Sequence, residues 1–143
     1  MNEAASHPPQ RRVVTTQDGP QHCTAERQPD GNTVAMDCPY TGKGAEFSPT
    51  NMVEAALGGC MLLSMGALAA RSDLDISGTQ FEVKISMTDK PCMRFGAIDI
   101  TVTMPQAFSE RDRRRLEAAA EHCPIKHSFA SDVPVSVQYI YPD

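Results

Sequence analysis

The fold of this chain is decided by the stretch Ser48-Pro-Thr-Asn-Met-Val-Glu-Ala-Ala-Leu-Gly-Gly-Cys60-Met-Leu-Leu-Ser-Met-Gly-Ala-Leu-Ala-Ala-Arg71. Ser48 is a favoured N-cap and Pro49 suits the first helical position, so a helix is predicted to begin here. No charged residue occurs from Ala55 to Ala70. Because apolar or small residues occupy every side, we expect a central helix that is buried all round. A membrane span needs about 20 apolar residues, so the shorter run predicts a core helix and no membrane partner.

Three glycines lie within this helix, at Gly58, Gly59 and Gly66. Each weakens a helix by about 1 kcal/mol relative to alanine. Their presence predicts that another part of the protein approaches the helix backbone closely. Cys60 follows two of them. A buried free cysteine behaves as a small hydrophobic residue. From this stretch alone, Cys60 could therefore be either a core-packing residue or a reactive thiol.

Length and composition are those of one ordinary globular domain. The 143 residues carry a formal net charge of -5 at pH 7, which argues against a nucleic-acid partner. The polar start lacks the apolar segment of a signal peptide, so we expect a cytoplasmic protein with residues 1–10 as a disordered tail and 11–143 as a single domain. The five cysteines are odd in number and irregularly spaced, which is typical of free thiols in a reducing compartment.

Alternating apolar residues and turn signals predict the other elements. These are strands at Arg12–Gln17, His22–Gln28 and Thr33–Cys38 before the central helix, then strands at Thr79–Thr88 and Phe95–Met104, a charged helix at Glu110–Glu121 capped by Ser109, and a last strand at Val133–Tyr141. The strands at Thr79–Thr88 and Phe95–Met104 are predicted to form an antiparallel pair with one buried face. The arginines of the charged helix favour a solvated face over an anion site.

Cys123 stands before Pro124, at the predicted start of a short helix. A thiol at a helix N-terminus meets free N–H groups and the positive end of the helix dipole, which favour the thiolate. Cys60 lies inside its helix and would need a charged neighbour from elsewhere. From spacing alone, two unrelated buried cysteines remain an open alternative, and Cys23, Cys38 and Cys92 are expected to be ordinary thiols.

A metal or cofactor site is not expected. His122, Cys123 and His127 could be imagined as metal ligands together with Cys60, but the paired short spacings of structural zinc sites are absent from the sequence. No phosphate-binding glycine loop or dinucleotide fingerprint occurs either.

The run Ser48-Pro49…Glu54-Ala-Ala-Leu-Gly-Gly-Cys60, followed later by Glu121-His-Cys123-Pro124, resembles the OsmC/Ohr family. The order of the predicted elements also fits that family. The resemblance implies an α+β, OsmC-like fold of antiparallel sheets around a central buried helix, assembled as an intertwined homodimer with two sites at the subunit interface. It also implies reduction of organic hydroperoxides, in which Cys60 attacks the peroxide and Cys123 resolves the sulfenic acid to a disulfide. Dithiols or lipoylated proteins then regenerate the pair.

The activating arginine that the resemblance implies belongs in the first hairpin. Arg27, beside the turn Pro29–Asn32, is the candidate, with Arg11 and Arg12 as alternatives. The family's glutamate ten residues before the first cysteine corresponds to Thr50 here, so a slower thiolate reaction is expected. Apolar neighbours of Cys60 at helical spacing would suit alkyl or lipid hydroperoxides.

Two other functions remain open at this stage. One is a binding module of the same fold that holds an apolar small molecule at the dimer interface without turnover. The other is a thiol-based redox or metal sensor. An arginine close to the Cys60 sulfur would favour the peroxidase, and a dry apolar cavity without a charged group near Cys60 would favour the binding module.

Overall fold

The computed structural model describes residues 12–143, which form two compact units divided between Asn51 and Met52. The predicted disordered tail and Arg11 lie outside the described residues. The prediction of a single domain over 11–143 stays a prediction, and each unit is described by itself.

The first unit is a three-stranded antiparallel sheet in the order β1-β2-β3. Its strands are β1 (Arg12–Gly19), β2 (His22–Gln28) and β3 (Asn32–Asp37), close to the predicted ranges. The β2–β3 hairpin pairs Arg27 with Asn32 around a turn in which Gly31 adopts φ +74°. Because such a left-handed conformation strains residues with a Cβ, glycine is well suited to this turn. The buried Asp37 carboxylate accepts hydrogen bonds from the backbone of Ala45 (3.0 Å) and Glu46 (3.3 Å), and so fixes the loop after β3.

Helix α1 runs from Pro49 to Arg71, as predicted. Ser48 caps it, since the Ser48 hydroxyl accepts from the Asn51 amide at 3.1 Å. Burial is one-sided: Leu57, Met61, Met65 and Ala69 recur every four residues and are almost fully buried. Burying a leucine or methionine side chain is worth about 1.5–3 kcal/mol.

The prediction that α1 is buried all round is wrong for the single chain. The opposite face is exposed, and the side chain of Leu63 retains 76% of its accessible surface. By length and composition alone, the helix could cross a membrane. Of its most apolar stretch, 28% is buried within the protein. A core helix of a soluble protein meets the same criteria, so this is weak evidence for a span.

The second unit packs α1 and helix α2 (Glu110–Glu121) with a second three-stranded sheet. Its strands are β4 (Gln80–Thr88), β5 (Arg94–Thr103) and β6 (Val135–Ile140), and a short 3-10 helix, Lys126–Ser128, precedes β6. Helix α2 has the predicted bounds, and the Ser109 hydroxyl accepts from the Asp112 amide at 3.1 Å.

The prediction of antiparallel sheets needs one correction. β4 pairs with β5 antiparallel, but β6 pairs with β5 parallel, from Ile98 opposite Val135 to Thr103 opposite Ile140. The connection from β5 to β6 contains α2, and a helical crossover returns the chain in the same direction. The second sheet is therefore mixed. Its central strand supplies the buried side chains Ile98, Ile100 and Val102 to the core.

Candidate active site

Cys60 lies in the middle of α1, next to the core position Met61. Its side chain is half-buried and packs against the hydrophobic core of the second unit. The Cys60 carbonyl accepts a hydrogen bond from the Ser64 hydroxyl at 2.9 Å, a common local contact in helices. The sulfur is therefore held on a regular helix, on the boundary between the buried and the exposed faces.

Cys123 lies just after the end of α2 and is completely buried. It continues the buried face that Leu116 and Ala120 form on α2. Its sulfur accepts a hydrogen bond from the Lys126 amide at 3.4 Å. The Cys60 and Cys123 thiols lie close enough to interact with one another, and neither cysteine forms a disulfide. The fold thus brings together two thiols from distant parts of the sequence.

The pKa of Cys123 is raised above its ordinary value of 9.0. Burial is the main cause, because a charged sulfur loses its hydration, and the hydrogen bond with Cys60 adds to it. The backbone amides of Lys126 and Ile125 act in the opposite direction but do not prevail. The predicted helix start at Pro124 is also displaced, since the 3-10 helix begins at Lys126. The prediction that this position favours a thiolate on Cys123 is therefore wrong.

Arg27 lies on β2 in the first unit, where its guanidinium is paired with a neighbouring carboxylate. The Nε and Nη2 atoms donate to the two carboxylate oxygens of Asp30 at 3.0 and 2.5 Å. This pairing raises the pKa of Arg27 and lowers the pKa of Asp30. The alternative Arg12 donates from its Nε to the Gln28 side chain at 2.9 Å. The role of Arg27 toward Cys60 stays a prediction.

A groove of about 280 Å³ lies along α1 and β4 in the second unit. Apart from Glu54, its lining residues are apolar or glycine: Ala55, Gly58, Gly59, Leu62, Phe81 and Val83. The Glu54 carboxylate accepts a hydrogen bond from the Ile85 amide at 3.0 Å, so it contacts the edge of β4. Sequence reasoning did not identify this groove, although the Gly58–Gly59 pair and the alternation of Phe81 and Val83 were its signals.

The other cysteines were predicted to be ordinary thiols. Cys23 and Cys38 are half-buried and Cys92 is exposed. The pKa of Cys38 is lowered, first by a hydrogen bond with the Thr41 side chain and then by the backbone amides of Thr41 and Tyr40. The Cys-Pro-Tyr-Thr-Gly turn was the available signal for this environment.

Three of the four arginines of α2 contact neighbouring groups. Arg113 stacks over the ring of Tyr141 at 4.2 Å from its centroid. Arg114 pairs with Glu110 at 3.0 Å, and Arg115 donates to Ser72 at 2.6 Å. Within residues 12–143, no three His, Cys, Asp or Glu side chains are grouped so as to hold a metal ion.

The family of this chain is shown by comparison with known proteins. The family model of OsmC-like proteins matches residues 42–138, which includes both Cys60 and Cys123. The chain belongs to the OsmC-like protein family. The membership agrees with the resemblance of the two cysteine motifs, and it assigns the chain to a soluble fold in which the apolar α1 is a core helix.

Solved structures show the same fold. A protein of Psychrobacter arcticus, described as an osmotic stress induced and detoxification response protein, is 27% identical with a TM-score of 0.84, over 94% of this chain and 99% of that one. An OsmC-like protein of Mycoplasma pneumoniae is 15% identical with a TM-score of 0.76, over 92% and 96%. The organic hydroperoxide resistance protein OhrB of Bacillus subtilis is 16% identical with a TM-score of 0.68, over 92% and 98%. No curated protein matches this chain.

Proposed function

We propose that this OsmC-like protein is a thiol-dependent peroxidase that reduces organic hydroperoxides through Cys60 and Cys123. The observation that carries the proposal is the proximity of these two free thiols inside the second unit. A peroxidase of this type needs a nucleophilic thiol and a second thiol close enough to form a disulfide with it. The Bacillus subtilis relative is named as an organic hydroperoxide resistance protein, which supports the substrate class.

The two cysteines have different roles in this mechanism. The Cys60 thiolate attacks the hydroperoxide ROOH, breaks its O–O bond and becomes Cys60–SOH, while ROH leaves after taking up a proton. Cys123 then attacks the Cys60 sulfur, so an S–S bond forms, the S–O bond breaks and water departs. A dithiol, either small or carried by a lipoylated protein, reduces the disulfide and is itself oxidised.

Burial supports this assignment of roles. Cys60 is half-buried and can be reached by a substrate, whereas Cys123 is completely buried. Burial also keeps Cys123 protonated by raising its pKa, so it makes a poor first nucleophile. The apolar residues around Cys60 favour an alkyl-bearing hydroperoxide over hydrogen peroxide.

We assign the activation of Cys60 to Arg27. A guanidinium near the sulfur would favour the thiolate by charge attraction and hydrogen bonding. Arg27 would have to share its donors between the thiolate and Asp30, to which it is bound at 2.5 Å. Together with Thr50 in place of the family glutamate, this sharing predicts a Cys60 that reacts more slowly than in strongly activated members.

The proposal includes a cytoplasmic homodimer. An apolar helix face with an exposed Leu63 is costly in water, and a second copy of the chain would cover it. Obligate interfaces often bury more than about 2,000 Å² in total. No nucleic-acid, membrane or cofactor partner is proposed.

The experiment is a steady-state assay with cumene hydroperoxide and either dithiothreitol or dihydrolipoamide. Cys60→Ser should abolish hydroperoxide consumption. Cys123→Ser should consume about one equivalent and then stall as the sulfenic acid, or proceed to the sulfinic acid under excess peroxide. Cys92→Ser changes an exposed cysteine and serves as the matched control with wild-type turnover. Full activity in Cys60→Ser would refute the proposal.

A second candidate function is an apolar binding module without turnover. The observation that favours it is the groove along α1 and β4, whose lining is apolar apart from Glu54. Binding of an apolar fluorescent probe that Phe81→Glu abolishes, in a protein that consumes no hydroperoxide, would favour this function over the peroxidase. If the protein turns over hydroperoxide and Phe81→Glu does not affect that turnover, apolar binding in the groove is excluded as the main role.

A further inference from the structure

The turn that follows α2 is closed by one ion pair. Its two partners, Glu121 and Lys126, lie on either side of Cys123 in the sequence. The Lys126 ammonium lies 2.6 Å from a carboxylate oxygen of Glu121. The Lys126 side chain is only 17% exposed and that of Glu121 is 40% exposed, so the pair is partly shielded from water. Attraction between such charges is screened less than between fully exposed ones.

Three further hydrogen bonds fix the same turn. His127 donates from Nε2 to the Glu121 carbonyl at 2.8 Å and from its amide to the Cys123 carbonyl at 3.3 Å. The Ser128 hydroxyl donates to the Pro124 carbonyl at 2.7 Å. Together these contacts hold the turn around Cys123 in one conformation.

The closed turn aims one backbone amide at the Cys123 sulfur. The Lys126 amide donates to that sulfur at 3.4 Å, and the Cys60 thiol lies beside it. The side chain of Lys126 thus anchors the residue whose own amide contacts the thiol. An N–H group in this position stabilises negative charge as it develops on an attacking sulfur.

We propose that Lys126 and Glu121 are positioning residues, whose ion pair keeps the Lys126 amide on the Cys123 sulfur and thereby speeds disulfide closure onto Cys60. The inference rests on the proposed function, because closure is its second step. In that step the Cys123 sulfur bonds to the Cys60 sulfur, the Cys60 S–O bond breaks, and the hydroxide leaves with the Cys123 proton as water. Cys123 is oxidised and the Cys60 sulfenic acid is reduced.

The test uses a probe that needs no peroxidase activity, 2,2′-dithiodipyridine, with the full chain in which Cys23, Cys38 and Cys92 are replaced by serine. Cys60 attacks the probe, releases one thiopyridone and keeps the other as a mixed disulfide. Cys123 then displaces the second thiopyridone and closes the Cys60–Cys123 disulfide. The two releases are followed by absorbance as two phases, and the second phase measures closure directly.

Lys126→Met keeps the apolar stem and removes the charge. We expect the second phase to slow about tenfold, the size expected when one hydrogen bond to a developing anion is loosened. The first phase should be unchanged. The pH at which closure reaches half its maximal rate should rise in Lys126→Met, and Lys126→Arg should restore both readouts. A general loss of structure would not be rescued by arginine in this way.

Glu121→Gln removes the other charge and should slow closure to a similar extent, which keeps the test decisive if Lys126→Met does not fold. Arg114→Gln is the matched control, because it breaks an exposed ion pair with Glu110 on the same helix. Closure within twofold of wild type in both Lys126→Met and Glu121→Gln would overturn the proposal, as would equal slowing in Arg114→Gln.

The failures of the two proposals are distinguishable. If wild type closes the disulfide with the probe but does not consume cumene hydroperoxide, the peroxidase function fails while the role of the turn is still measured by the probe. If wild type consumes hydroperoxide and the Lys126 and Glu121 variants close as fast as wild type, only the positioning role fails.

Discussion

Gly66 lies on the face of α1 that the chain leaves open, so Gly66→Ala should stabilise a single chain and weaken a dimer. Among residues 12–143, no atom outside the local helix lies within 4 Å of a Cβ built at this position. Alanine is better than glycine in a helix interior by about 1 kcal/mol. The free energy of unfolding of the dilute chain should therefore rise by about 1 kcal/mol, or about 3 °C in melting temperature for this length.

The same methyl group has the opposite effect where two helices approach closely. Overpacking a well-packed contact costs about 1–3 kcal/mol, which corresponds to a dissociation constant weakened about 5- to 150-fold. Sedimentation velocity over a dilution series measures the dissociation constant, and urea titration of the dilute protein measures stability. Gly66→Ala is expected to move the two quantities in opposite directions.

Gly58→Ala is the control on the buried side of the helix. A Cβ there would lie 3.3 Å from Val83 Cγ2 and 3.4 Å from Phe81 Cβ, so the gain in helix propensity is offset by crowding. No net stabilisation is expected for this variant. If Gly66→Ala destabilises the dilute chain, or leaves the dissociation constant of the dimer unchanged, the proposed use of this helix face is refuted.

Three other predictions concern charge and the surface. Leu63→Glu should shift the protein to monomers in sedimentation, while circular dichroism of the helix stays close to wild type, because this side chain is 76% exposed in the single chain. Arg27→Ala should slow alkylation of Cys60 by iodoacetamide at mildly acidic pH by about fivefold, the effect of one charge contact in water. Asp30→Asn should accelerate the same reaction, because it frees the guanidinium. Unchanged rates in both variants would exclude Arg27 as the group that activates Cys60. The Cys123 thiol of the unfolded chain loses its proton near the ordinary pKa of 9.0, whereas the folded state keeps that proton to higher pH. The free energy of unfolding should therefore fall as the pH rises from 9.0 toward the raised pKa of the folded state. Cys123→Ala should lose this pH-dependent component in urea titrations, and an equal slope in both proteins would contradict the burial argument.

Local patterns were sufficient to predict the elements of the fold. The Ser48-Pro49 start and the uncharged run predicted α1 with its observed bounds, and Ser109 predicted the start of α2. The direction of β6 was not predictable from its own alternation, because a strand has the same pattern in either direction. The direction of β6 is decided by the connection from β5, which crosses over through α2 and returns the chain parallel to β5.

The site was predictable in part. The contact between Cys60 and Cys123 followed from a resemblance of two motifs, since no spacing rule joins residues so far apart in sequence. The charge state of Cys123 was not predictable from the neighbouring Pro124, because local sequence gives the helix end but not the burial that outweighs it. Nor could sequence assign Lys126, whose importance arises from a turn that points its amide at the sulfur.

The environments of the two sulfurs also bear on how fast the proposed disulfide can be reduced. Cys123 is completely buried as the free thiol, so we expect a reductant of the disulfide to attack the half-buried Cys60 sulfur. Cys123 is then the leaving group, and a thiol leaves more slowly when its pKa is high. Burial raises that pKa, and the Lys126 amide only partly offsets it. The burial that keeps Cys123 protonated until a sulfenic acid forms beside it is therefore also expected to slow reduction of the disulfide by the dithiol.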